Sequence, residues 1–356
     1  MKLQSLRSAS LLAFSLTALS ASAGVGSYKL TDLGFPGGSG AEGINNLGQV
    51  AISAGNGPFN SRAYEYSGGT STLLGPTNLG SNAFAINDSG VVAGSIQVAP
   101  NGASHAALFS GGSVIDLAGT SFATSISNTG KVTGVGNGQA FLYSGGTTTY
   151  LGALPGGTAV STGYGVNDAG TVVGYAETKI GGTTLYHAFK YSGGTMTDLG
   201  SLGPNQGGYG SVARAINNSG TIVGYYTAPT IANGNGFYYS GGAMHPLTGL
   251  YTLGSTAYAI NDSGRIVGAS AVLSGVRAVI YDNGVAVDLN KKLIPTTPTG
   301  WVLRYAYDIN NTGQIVGVGD FGGQTRAFLL TPVPEPGTWA VLGLGAAALL
   351  RRRRKA

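Results

Sequence analysis

Three charged side chains interrupt an otherwise uniform pattern in this 356-residue chain: Glu42, Arg214 and Asp308. Acids with a base nearby can do proton-transfer chemistry or hold a polar ligand, and they can equally form an ion pair between structural units. The pattern they interrupt is a motif, small-Ile-Asn-Asn/Asp-x-Gly-x-Val-Val-Gly, which recurs at Gly43, Ala85, Ser125, Gly165, Ala215, Ala259 and Asp308. The residue before each copy is Glu42, Phe84, Thr124, Tyr164, Arg214, Tyr258 and Tyr307, and the motif's first residue is small everywhere except Asp308.

Other chemistries are excluded by spacing. The chain has no cysteine, which removes disulfides and thiolate sites. His105 and His187 occupy equivalent places two units apart and His245 lies on a different strand, so no zinc-ligand spacing exists. The Asn-Asp-x-Gly turns are too short for an EF-hand-type calcium loop. No usable G-x-S-x-G nucleophile turn is present, and the Gly-Gly pairs sit in hairpins rather than at the start of helices. No metal or cofactor is implied. Acids that recur at one place in the unit, Asp88, Asp168 and Asp262 in the turn and Asp32, Asp116, Asp198 and Asp288 on a strand end, read as structural hydrogen-bonding groups.

The elements that must position Glu42, Arg214 and Asp308 follow from the repeat. The motif Ile/Val positions are spaced by 42, 40, 40, 50, 44 and 49 residues, the size of a four-stranded propeller blade. Each unit supplies four strand signals: a strand running into Ile-Asn, the Val-Val-Gly run, a third strand such as His187–Tyr191 ending in a Ser-Gly-Gly turn, and a short fourth such as Met196–Gly200. The seventh unit lacks its fourth strand. Tyr28–Gly34 resembles that missing piece and precedes the first motif, so the sequence predicts a seven-bladed all-β propeller closed by pairing Tyr28–Gly34 with Arg326–Leu330. The first strand of each blade is then innermost, and the three odd charges lie near the mouth of an axial channel. Two turn sets form a short, uniform face. The opposite face carries long variable loops, Ser95–Ser104, Tyr175–Tyr186, Tyr225–Gly236 and Asn290–Tyr307 with Trp301, where binding residues are expected.

Both chain ends read as addresses. Lys2 and Arg7, the apolar Ala9–Leu19 and the small residues Ala21-Ser22-Ala23 form a signal peptide, residues 1–23, cleaved after Ala23. Residues 333–356 combine Pro334-Glu335-Pro336, an apolar stretch Thr338–Leu350, and the basic block Arg351, Arg352, Arg353, Arg354 and Lys355. The stretch of 13 residues reads as a short transmembrane helix, and the basic block is held on the cytoplasmic side. Of the 19 basic residues two lie in the leader and five in the tail, leaving 12, against 13 acids outside the tail. The body, residues 24–332, is therefore about neutral, and the basic balance of the whole chain does not point to nucleic acid.

The tail resembles the PEP-CTERM sorting signal of bacterial surface proteins, with Pro334, Glu335 and Pro336 as its motif. The stretches His187–Gly200 and I-N-x-x-G-x-V-V-G resemble the HAF-repeat family of secreted bacterial proteins, over Tyr28–Pro332. Units two and four keep the His-Ala of that motif; the others carry Arg, Gln or Gly at the His position. These resemblances imply export, an inner-membrane anchored intermediate, processing by an exosortase-type enzyme, and a final place at the cell surface or in an exopolysaccharide or biofilm matrix. The resulting expectation is a non-enzymatic structural or glycan-binding propeller, with Glu42, Arg214, Trp301 and Asp308 as candidate ligand contacts. The rival is a secreted polysaccharide hydrolase or lyase, which needs two carboxylates about 5 to 10 Å apart in a cleft.

Overall fold

The computed structural model describes residues 25–35, 38–55, 61–100, 102–202, 210–228 and 231–334. These residues form seven four-stranded antiparallel sheets, each one blade. In the first six the strand order follows the sequence, from Ser39–Ile44 at the inner edge of blade 1 to Val285–Asp288 at the outer edge of blade 6. Blade 7 takes three strands from the end of the body, Val302–Ile309, Ile315–Phe321 and Gln324–Pro332, and its outermost strand from the start, Tyr28–Asp32.

That closing strand pairs as the sequence predicts, with Tyr28 opposite Pro332 and Asp32 opposite Phe328. Arg326 reinforces it by an ion pair to Asp32 at 2.8 Å. The same cross-strand link recurs as His105–Asp116 and His187–Asp198, each at 2.9 Å. Arg62 and Arg277, at the same place in blades 1 and 6, bond to neighbouring backbone and loop groups instead. In blade 5 the residue in that slot is Asn235, since Gly236 pairs where Ala188 does in blade 4; this corrects the alignment that put glycine at the His position.

The core lies between blades. Phe141, Phe189, Phe237 and Phe328 fall at one position of the third strand, and all four side chains are fully buried. The Val-Val-Gly glycine is needed because strands one and two cross closely: a Cβ on Gly174 would collide with the Thr162 carbonyl oxygen. Two of the variable loops are not loops. Val172–Ile180 and Thr183–Ser192 continue as a paired hairpin out to the Gly181-Gly182 turn, and Ile222–Ala228 pairs with Ile231–Ser240 in the same way. In the stretch 290–307, Leu289–Lys292 forms a 3-10 turn capped by Asp288, and the innermost strand of blade 7 already begins at Val302.

Among the described residues no helix is long and apolar enough to cross a membrane. The signal-peptide residues with Ala21 and Ala23, the segment 338–350, and Glu335, Pro336 and the Arg351 to Lys355 block lie outside the described residues. Pro334 is described and exposed.

Candidate functional site: an axial chamber and its polar floor

A β-bulge occurs in the innermost strand of every blade, and in each it falls on the same residue. The register shifts at Glu42, Phe84, Thr124, Tyr164, Arg214, Tyr258 and Tyr307. A bulge adds one unpaired residue and re-aims its side chain. Here all seven line one axial chamber of about 730 Å³. The chamber is thus lined in large part by a position that the repeat leaves free to vary.

Arg214 stands between two tyrosines, its guanidinium carbon 4.4 Å from the Tyr164 ring centre and 5.4 Å from that of Tyr258. Such stacking holds the planar group in place without neutralising it. It also hydrogen-bonds the Tyr164 side chain. Tyr258 packs edge-on against Tyr307 at 5.4 Å, and Phe84 against Phe122 at 6.4 Å. Burial raises the phenol pKa of Tyr164, Tyr258 and Tyr307, so these rings present neutral hydroxyls.

The two acids behave differently. Asp308 accepts the backbone N–H of Ile44 at 2.9 Å and of Ile309 at 2.8 Å, one on each oxygen. It therefore stitches blade 7 to blade 1 at the closure point. Desolvation pushes its carboxyl up to about 6 despite those two bonds. Glu42 keeps a wet face on the chamber but lies deep in the molecule; desolvation, partly offset by Arg214, pushes it up to about 7. Among the described residues neither acid lies within ion-pair distance of Arg214. Trp301 does not line the chamber. It is 9% exposed, stacked on Phe321 at 5.2 Å within the core that Leu289 and Leu303 share, which leaves no ring face for a ligand.

Below the chamber lies a smaller polar cavity of about 160 Å³. Ile86, Ile126, Val166, Ile216 and Ile260 line both and form an apolar collar between them. The floor is a double ring of turn side chains. In the inner ring an asparagine Oδ1 accepts amides of its own turn while its Nδ2 donates to the next blade's carbonyl, as Asn87 does to Ser127 at 3.2 Å and Asn310 to Asn45 at 2.9 Å. The short side-chain amide offers an acceptor and two donors from one planar group, which suits asparagine to this place. Ser127 is the exception, and the link from it to Asn167 is missing among the described hydrogen bonds. In the outer ring each backbone N–H donates to the next blade's Oδ1: Asn46 to Asp88, Asp88 to Asn128, and so on round to Asn311 and back to Asn46. Desolvation works against the Asp262 carboxylate, but bonds from Asn218 and Asn311 outweigh it and hold its pKa below the ordinary value. Asp88, Asp168 and Asp262 are thus structural, though their bonds run between blades and not only within the turn.

The functional class comes from outside the propeller. The PEP-CTERM protein-sorting motif matches residues 332–355. The chain carries a sorting signal. A PEP-CTERM protein is exported and stays membrane-anchored until an exosortase-type enzyme processes it. No curated protein matches the chain. Among solved structures it is similar to the extracellular domain of the putative one component system BT4673 from B. thetaiotaomicron, with TM-score 0.50 and 11% identity over 86% of this chain and 40% of that one. It is also similar to TolB from Acinetobacter baumannii, with TM-score 0.43 and 12% identity over 80% and 79% of the two chains. A third is the Aleuria aurantia lectin, with TM-score 0.37 and 12% identity over 87% and 98%. At these identities the first likeness concerns the fold alone, and the chain spans less than half of that structure's length.

Of the four candidate contacts expected from the sequence, Glu42, Arg214 and Asp308 meet in the chamber and Trp301 does not. Tyr164, Tyr258 and Tyr307 do not stand out in the sequence as contacts, although they occupy the same pre-motif slot. The signal was present in the alignment of the seven copies, since these tyrosines share the pre-motif slot with Glu42 and Arg214. Among the described residues no cluster of three or more metal-ligating side chains comes together.

Proposed function

We propose that this protein is a non-enzymatic cell-surface or matrix component whose propeller binds a glycan unit in its axial chamber. The supporting observation is the set of seven bulged side chains aimed into one cavity, rich in aromatic rings and hydroxyls and of a size suited to one or two sugar units. Aromatic faces suit sugars because they stack on the apolar face of a pyranose. The commitment of both Asp308 oxygens to backbone amides weighs against a two-carboxylate hydrolase, since Glu42 is then the one chamber acid with no such duty. The HAF-repeat resemblance, the short transmembrane helix and the exopolysaccharide or biofilm setting belong to this same reading.

Two measurements test it. Glycan-array binding by the chain should be lost in Tyr258→Ala and retained when exposed residues of the turn face, such as Leu47, are changed; equal loss from both would overturn a chamber site. Replacing Pro334, Glu335 and Pro336 with alanine should leave export intact but hold the protein at the inner membrane with its tail. Mass spectrometry of surface-released protein should find no peptide beyond Trp339, and recovering one would end the sorting part of the reading.

A further inference from the structure

Arg214 is a cation on the wall of a deep chamber with aromatic rings on its flanks and no carboxylate within ion-pair distance among the described residues. A charge in that position is costly unless something of opposite sign completes it. The chamber's own acids do not. Asp308 is turned to the backbone amides at the blade 7 to blade 1 closure. Glu42 belongs to blade 1, whereas Arg214 belongs to blade 5, and the two face one cavity without pairing. Beyond its bond to the Tyr164 side chain, the guanidinium has N–H donors left for an incoming group.

We propose that the chamber selects a carboxylate-bearing sugar, a uronic acid, with Arg214 binding its carboxylate, Tyr164 and Tyr258 bordering the ring, and Glu42 hydrogen-bonding a hydroxyl on the far side. The inference rests on the glycan reading above and sharpens it to a charge class. A guanidinium offers parallel N–H donors whose spacing matches a carboxylate, so the pair is strong and directional. The tyrosine rings hold that fork in orientation and supply the apolar border that a pyranose needs. Glu42 in its protonated form can donate as well as accept, which a hydroxyl group can use in either sense. A neutral sugar would displace water from the guanidinium without supplying an opposite charge. Sites built around a polar group reject analogues lacking its partner more strongly than apolar pockets reject small changes of size.

Calorimetric titration of the full chain in detergent, with glucuronate, glucuronamide and glucose as probes, tests the proposal. Glucuronamide keeps the shape and removes the charge. Glucuronate should bind at least tenfold more tightly than either neutral probe, and its affinity should fall with added salt. Arg214→Met should bring glucuronate down to the level of the amide, and Arg214→Lys should recover only part of the difference because it restores charge without the fork. Thermal unfolding of both variants guards against a folding defect, and if Arg214→Met does not fold, the lysine variant and the probe comparison carry the test. Equal affinity for all three probes, lost in Tyr258→Ala, would overturn the carboxylate inference while leaving the glycan reading in place. Failure of every probe to bind would overturn both.

Discussion

Replacing Glu42 with glutamine should stabilise the protein at neutral and alkaline pH while changing little at pH 4. Desolvation lifts the Glu42 carboxyl from 4.5 to about 7, so between those values the folded chain holds a proton that the unfolded chain releases. The folded state binds more protons there, and stability must fall as pH rises through that window and stay low above it. Each pH unit across the window costs about 1.4 kcal/mol, and the full effect is about 3 kcal/mol. Water in the chamber screens part of the charge, so roughly 1 to 3 kcal/mol is expected. Asp308, lifted from 3.8 to about 6, acts with the same sign but has spent its effect by pH 7. Urea denaturation at pH 5, 6, 7 and 8 measures both. The wild type should lose stability steadily over this range, and Glu42→Gln should lose much less and lie above the wild type at pH 8. A wild-type curve flat from pH 5 to 8, or a glutamine variant less stable than wild type at pH 8, would refute the role given to desolvation. The second outcome would mean that the carboxylate has a hydrogen-bonding duty absent from the geometry described.

Three further outcomes follow from packing and hydrogen bonding. Deleting Tyr28–Asp32 removes the outer strand of blade 7 and the Asp32–Arg326 ion pair; the loss should rival the whole folding free energy, about 5 to 15 kcal/mol, and circular dichroism should show no cooperative transition. Ser127→Asn should supply the missing link to Asn167 and stabilise by about 1 kcal/mol in the same urea assay, and a destabilised variant would mean that the Ser127–Thr129 contact matters more. Gly174→Ala should cost roughly 1 to 3 kcal/mol because its Cβ has no room against the Thr162 carbonyl, and an unchanged midpoint would show that the strands can part at no cost.

Blade number and closure were legible because each unit repeats its turn residues at fixed offsets, so the missing fourth strand and its copy at Tyr28–Gly34 could be matched directly. The position of Glu42 and Arg214 in the chamber was legible for the same reason: a variable residue beside a small one stands out against seven aligned copies. The role of Asp308 was not. Its carboxylate answers an amide 264 residues away in the chain, and no local pattern reports such a partner. A tryptophan between strand signals resembles a binding loop, whereas Trp301 stacks on Phe321 of blade 7 in the core shared with blade 6. The extended hairpins of blades 4 and 5 resemble loops in sequence because polar residues and glycines such as Thr183, Thr184, Asn233 and Gly234 break the alternation of a half-buried strand.

The last hydrogen bond of the propeller runs from the Val333 amide to the Ser27 carbonyl, at 2.9 Å, beside the pairing of Tyr28 with Pro332. It fixes the compass of the anchored intermediate. The third strand of blade 7 runs toward the asparagine floor, and Gly313 of that floor has Pro332 as its neighbour. The chain therefore leaves the propeller on the floor side. Only Val333 to Gly337 separate it from the apolar stretch, a reach of about 18 Å at most. With the apolar stretch spanning the membrane as proposed, the asparagine rings would face the lipid headgroups and the chamber would look away from the bilayer. Release by the processing enzyme would not be needed to open the chamber, only to let it travel.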